Sequence, residues 1–203
     1  MKTAKNLFIT GIGTGVGKTV VSAVFVEQLQ ADYWKPIQSG DLDCSDTDQV
    51  KKWTHCENSR FHPERYRLSL AASPHKSAAQ EGILIKPTDF VLPKTNNRLI
   101  IEGAGGVLVP ISDDFYMIDL IERLEAAVVL VVRDYLGCIN HSLLSIAHLK
   151  QRGIPIAQLV FNGAMDPASE RVILKSLDST TQLVRIPELQ TIDYNHIKHC
   201  KLT

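Results

Sequence analysis

Two lysines, a run of glycines and a small set of carboxylates are the residues of this chain whose types and spacing can move a phosphoryl group. The stretch Gly11–Thr19, GIGTGVGKT, places four glycines in seven positions and follows them with Lys18 and Thr19. Glycines let backbone N–H groups converge without Cβ obstruction and form an anion nest. A helix N-terminus behind the loop adds partial positive charge. Lys18 can then bridge terminal phosphates, and Thr19 can offer its hydroxyl to Mg²⁺. The common phosphate loop has four residues between its first glycine and the Gly-Lys pair, whereas five separate Gly11 from Gly17, so this is a variant loop. A second signal is IIEGAGG, where Glu102 precedes three glycines in four positions. A carboxylate there can hold Mg²⁺ while the glycines admit a γ-phosphate. In CSDTD, Asp46 or Asp48 can supply a second carboxylate or cap a helix, and on spacing alone the cap is the stronger reading.

These side chains need elements that aim them at one place. NLFIT (Asn6–Thr10) reads as a buried strand entering the glycine loop, and KTVVSAVFVEQLQ (Lys18–Gln30) as the helix leaving it, with Val21, Val24, Phe25 and Leu29 on one face. YWKPI, RLIIEG (Arg98–Gly103), AAVVLVV (Ala126–Val132), IPIAQLVFN and TQLVRIP read as further strands. INHSLLSIAHLKQRG (Ile139–Gly153) and PASERVILKSL read as helices, the former closed by a glycine. Strand and helix alternate, and AAVVLVV is apolar on both faces as a central parallel strand must be. The expectation is an α/β chain of P-loop NTPase type: a mostly parallel central sheet with helices on both faces, in one domain over residues 1–203. The less regular region Asn58–Pro93 is expected to cover one sheet edge. In such sheets ligands bind beyond the carboxyl ends of the strands. Lys35, Ser39, Glu102, Asp134 and Asn162 sit at those ends.

Composition narrows the classes. With 203 residues, 44% of them apolar, the chain can build one sizeable core. Its 22 basic and 22 acidic residues balance, which leaves no electrostatic footprint for nucleic acid or an anionic membrane. No apolar run approaches the ~20 residues of a membrane helix, and the N-terminus lacks a signal-peptide core. Four scattered cysteines without a CxxC pair read as free thiols in a reducing cytoplasm. No Ser–His–Asp set or activated thiolate suggests a protein nucleophile.

The motifs GIGTGVGKT, WKPIQSG, ASPH, EGAGG, LGCINH and IPEL, in this order, closely resemble those of the dethiobiotin synthetases of biotin biosynthesis, from about Phe8 to about Leu189. The resemblance implies a homodimeric ligase that uses ATP, Mg²⁺ and CO₂ to close a cyclic urea on 7,8-diaminononanoate. It implies that Lys18 and Lys35 are catalytic, and that Ser39 contacts the diamine or its carbamate. Gly137, Cys138, Ile139 and Asn140 would bind the carboxylate of a substrate lying mostly in the other subunit. Thr19, Asp46 and Glu102 would hold the metal. ATP would lie on Gly15, Val16, Gly17, Lys18, Thr19 and Val20, on Asp46, and on Glu102, Gly103, Ala104 and Gly105. Asn162, Gly163 and the stretch Pro187, Glu188 and Leu189 would face its adenine. Two departures stand out: Gly15 replaces a glutamate common in the family, and no acidic residue near Gln190 or Thr191 matches one used on the nucleotide.

Other classes fit less well. Partitioning and nitrogenase-type ATPases, nucleotide-dependent switches, read KGGxGK[ST] and carry a lysine where this chain has Gly13. A cobyrinate-type synthase needs a glutaminase domain for which no residues remain. A guanine-nucleotide switch needs Lys and Asp where Gly163 and Met165 stand. His75 reads as a loop residue, His141 and His148 as surface or interface residues, the His196/His199/Cys200 cluster as incidental, and Trp34 and Trp53 as packing.

Overall fold

The computed structural model describes residues 4–57 and 59–202; Asn58, where the irregular region was expected to begin, lies outside them. The chain runs through β1 (Asn6–Gly11), α1 (Lys18–Leu29), β2 (Asp32–Trp34), β3 (Ile37–Ser39) and α2 (Asp46–Trp53). It continues with β4 (Phe61–His62), β5 (Tyr66–Leu68), α3 (Pro74–Gln80), β6 (Leu99–Gly106), β7 (Pro110–Ser112), β8 (Phe115–Tyr116) and α4 (Met117–Arg123). The last third alternates regularly: β9 (Ala127–Val132), α5 (Cys138–Gln151), β10 (Ile156–Asn162), α6 (Pro167–Leu174), β11 (Gln182–Ile186) and α7 (Tyr194–Ile197).

Seven strands form one sheet in the order β11-β10-β9-β1-β6-β2-β4, with every pairing parallel. After β1 the chain builds towards β4 on one side, returns through β6, and then builds β9, β10 and β11 on the other. β1 is therefore the point where the sheet's growth reverses, and a ligand crevice forms beyond its carboxyl end. All six residues of β9 are buried, so both faces of the sheet are covered there. Phe8, Ile9, Ile100, Ile101, Val129 and Leu130, none more than 1% exposed, are the centre of the core.

Three expected elements differ. The YWKPI strand is broken: Pro36 has no N–H to donate, so β2 ends at Trp34 and β3 pairs with β5 in a separate two-stranded parallel ladder. Lys35 sits in the break. RLIIEG was expected to end at Gly103, but β6 runs on to Gly106, so Glu102 lies inside a strand rather than at its end. The irregular region does more than cover an edge, because β4 extends the main sheet beside β2. No helix among the described residues is long and apolar enough to cross a membrane.

Candidate active site

The glycine loop closes against the centre of the sheet. The Ile12 N–H donates to the Val131 carbonyl (3.1 Å), fastening the loop's entry to β9. Gly17 takes φ 89° as the N-cap of α1 and offers no capping side chain, so the first N–H groups of the helix are left to the loop. A Cβ at Gly17 would stand 2.0 Å from Asn162 Nδ2, and that amide is fixed by donating to the Val16 carbonyl (2.9 Å). Only glycine fits there on both counts. Gly15, at φ 75°, has nothing within 4 Å of where a side chain would begin. The family's glutamate would thus have room at this position, although not a relaxed backbone.

Lys18 turns back over the loop and donates to the Gly13 carbonyl at 2.9 Å. Burial, then the nearby Lys35 ammonium, lowers its pKa to about 8. Burial also works against the charge on Lys35, but Glu102 and Asp46 outweigh it and hold its pKa above the ordinary lysine value. Lys35 Nζ lies 2.6 Å from Asp46 Oδ2 and 3.0 Å from Glu102 Oε1, and donates to the Gly103 carbonyl at 3.1 Å. Burial disfavours charge on Asp46 as well, and Lys35 with the Thr19 hydroxyl more than reverses this, so its pKa falls.

Thr19 Oγ1 is 3.1 Å from Asp46 Oδ1 and 3.0 Å from Glu102 Oε1. A hydroxyl has one proton and can donate to only one of them at a time. Three hard oxygen atoms therefore converge, one contact lacking a proton to bridge it. Mg²⁺ holds oxygen ligands at ~2.0–2.1 Å in near-ideal octahedra, which spaces adjacent ligands about 2.9 Å apart. The donor chemistry and spacing of Thr19, Asp46 and Glu102 fit that ion. Asp46 and Asp48 also differ in their surroundings. Ser45 caps α2 by accepting from the Asp48 N–H, and Asp48 reciprocates on the Ser45 N–H, which leaves Asp46 to face the site.

These groups line a cavity of about 620 Å³ that also takes in Ser39, Trp53, Ser73, Pro74 and Ile192. Ser39 Oγ is buried with no hydrogen-bond partner among the described residues. The cavity lining does not include Gly137, Cys138, Ile139 or Asn140. Gly137 caps α5 at φ 105°, Cys138 is buried with Sγ 3.4 Å from Asp134 Oδ1, and Asn140 is exposed. Within one chain, this turn is not brought to Lys35. Gly163 donates its N–H to the Ile186 carbonyl (2.8 Å), and Glu188 pairs with Arg133 (2.7 Å). Pro187 and Leu189 line a second, mostly apolar cavity of about 450 Å³ with residues of α7. Asn162 spends its amide N–H on the loop at Val16. Among the polar residues noted at strand ends, Asp134 lies apart from this site and fastens the Asp166 N–H (3.0 Å).

Two residues that the sequence reading passed over stand behind the carboxylates. Tyr33, wholly buried, donates to Glu102 Oε2 at 2.9 Å, and Gln38 Oε1 accepts from the Asp46 N–H at 3.2 Å. Positions 33 and 35 share a face by strand alternation, so the neighbour of Lys35 was the place to look.

The family model described as an AAA domain matches residues 5–195. A protein of Cytophaga hutchinsonii named ATP-dependent dethiobiotin synthetase BioD is 50% identical over 84% of this chain and 83% of its own. One of the same name from Christiangramia forsetii is 46% identical over 96% and 93%. This chain belongs to the dethiobiotin synthetase family. The solved MinC:MinD cell division complex of Aquifex aeolicus is similar at TM-score 0.50 and 13% identity, over 97% of this chain and 86% of that one, which speaks to the fold alone.

Proposed function

We propose that this protein is a cytoplasmic, homodimeric ligase that makes dethiobiotin from 7,8-diaminononanoate, CO₂ and ATP. The observation that carries the reading is Lys35, held by Asp46 and Glu102 beside Lys18 and Thr19, in a cavity that also contains the unpartnered Ser39 hydroxyl. Family membership supports the ATP-dependent synthesis; the steps follow from the chemistry of the residues. One amine of the substrate attacks CO₂ as the free base and loses a proton, giving a carbamate anion. The ammonium groups of Lys18 and Lys35 favour both the free amine and the anion. Ser39 offers a hydrogen bond at the reacting end. A carbamate oxygen then takes the γ-phosphoryl group and ADP leaves, with charge spreading onto oxygens that Lys18 and the loop N–H groups stabilise. The second amine attacks the carbamoyl carbon, phosphate departs and the ring closes. Well-oriented closures gain effective molarities of roughly 10⁵–10⁸ M, so no protein nucleophile is required.

Thr19, Asp46 and Glu102 would hold Mg²⁺, which when bound neutralises charge on the transferring phosphates. The Gly137–Asn140 turn would bind the substrate carboxylate in the partner's site. Its absence from the lining of that cavity in one chain supports a shared site, as does the exposure of Leu136 and Leu144 beside it. The partitioning-ATPase reading gains nothing from the fold likeness, since Gly13 replaces that class's lysine. A mass-spectrometric assay for dethiobiotin from diaminononanoate, bicarbonate and MgATP tests the proposal. Folded protein that yields no product would sink it.

A further inference from the structure

We infer that Tyr33 is a positioning residue that sets Glu102 for metal binding, and that it does so by occupying one carboxylate oxygen and leaving the other to the site. The inference rests on the metal reading proposed above.

Glu102 is 1% exposed, and its two oxygens have different surroundings. Oε1 faces the Thr19 hydroxyl and the Lys35 ammonium, each 3.0 Å away. Oε2 takes a single hydrogen bond among the described residues, from the Tyr33 phenol at 2.9 Å. Tyr33 is itself fixed: it lies in β2 between β6 and β4, with its ring 6.0 Å from that of Phe61. A buried carboxylate with one oxygen tied to a rigid donor cannot rotate to offer both oxygens elsewhere, so Oε1 is held towards Thr19. Gln38 does the corresponding work for Asp46 through the backbone N–H and leaves that carboxylate free to face Thr19 and Lys35. Both supports flank Lys35 in the same short segment. Groups behind a metal's ligands fix ligand orientation in this way, and losing one typically weakens the metal.

The test is Tyr33→Phe, which keeps the ring and removes the donor. Affinity for a non-hydrolysable ATP analogue is titrated in EDTA and across a range of Mg²⁺ concentrations. Affinity in EDTA should be unchanged, while the Mg²⁺ concentration giving half its enhancement should rise about tenfold, the lower end of such effects. In a Glu102→Gln background the same change should add nothing. An unchanged Mg²⁺ requirement, or an equal loss in both backgrounds, would overturn the inference and make Tyr33 a packing residue. Should the single variant fold poorly, fluorotyrosine at position 33, which keeps the ring and the donor but changes the strength of the hydrogen bond, should still shift the Mg²⁺ requirement; a requirement that does not move also overturns the inference. A wild-type protein indifferent to Mg²⁺ would instead remove the metal reading itself, and this inference with it.

Discussion

The Asn162 side-chain amide donates to the Val16 carbonyl across 146 residues of sequence, tying the end of β10 to the phosphate loop. Asn162→Ala should leave that carbonyl without its donor and loosen the loop. We expect a loss of ~1–3 kcal/mol in stability and weaker nucleotide binding. Gly17→Ala should be worse, since it adds an unfavourable φ to a clash with the same amide. Combining the two should relieve the clash and leave the backbone strain. Thermal melts of the three variants check this; a double variant as unstable as the sum of the singles would show that the two residues do not meet.

Lys35 is the cation between two carboxylates, so removing it should hurt the fold as well as the chemistry. Breaking a buried pair by deleting one partner costs ~3–5 kcal/mol. Lys35→Gln should therefore melt lower, lose turnover, and regain more stability from added Mg²⁺ than the wild type does. Melts with and without Mg²⁺, beside the product assay, are the measurement. A variant that kept its turnover at saturating ATP would remove Lys35 from the mechanism.

Lys18 makes the opposite case. Burial pulls its pKa to about 8, which means the folded chain holds this charge at a cost. Lys18→Ala should give a protein that melts no lower than the wild type and forms almost no product. Near-normal turnover would contradict its assigned role.

The amino end of the sheet provides a test of pH dependence away from the site. Asp32 is fully buried and accepts from the Arg60 N–H (3.0 Å), the Asn97 amide (2.8 Å) and His62 Nε2 (3.0 Å). Burial alone would raise its pKa, but the hydrogen bonds, led by that of Asn97, bring it below the model-compound value of 3.8. A carboxyl with a depressed folded pKa adds stability above its unfolded pKa, and that contribution disappears as pH falls through the folded value. The advantage of the wild type over Asp32→Asn should hold from neutral pH down to about 4 and shrink below. Melts from pH 7 to pH 3 measure it; an advantage that grew on acidification would reverse the sign and discard the argument.

Much of this was legible in the residues because it rests on local pattern. The glycine loop, the apolar β9 and the helix behind Gly137 each declare themselves within a dozen positions. Glu102 and Lys35 were legible as residues, but their setting was not. That Pro36 would split a strand and leave Lys35 in the gap depends on which strand β3 chooses as partner. Asp46 and Asp48 could not be separated by spacing, because the decision lies with Ser45, which takes Asp48 into its cap. Tyr33 and Asn162 act through partners 69 and 146 residues away, a separation that no local periodicity encodes.

The turn Gly137–Asn140 gives the last prediction. It lies outside the Lys35 cavity, it starts the 14-residue helix α5, and apolar side chains at Leu136 and Leu144 stand exposed beside it. Helix N-termini suit carboxylates, with an interaction typically worth ~0.3–1 kcal/mol and up to ~2 kcal/mol when partly buried. If the turn completes the partner's site, an Asn140→Ala chain and a Lys18→Ala chain are defective in different halves of a shared site. A mixed dimer then has one site carrying both lesions and one carrying neither. Mixing the two inactive proteins and allowing subunits to exchange should restore activity to about half the wild-type level per heterodimer, since one of two sites is whole. Exchange is confirmed first with differently tagged chains, and product formation is followed as the mixing ratio is varied. Confirmed heterodimers as inactive as their parents would place the turn's action within its own subunit, and the shared site would have to be abandoned.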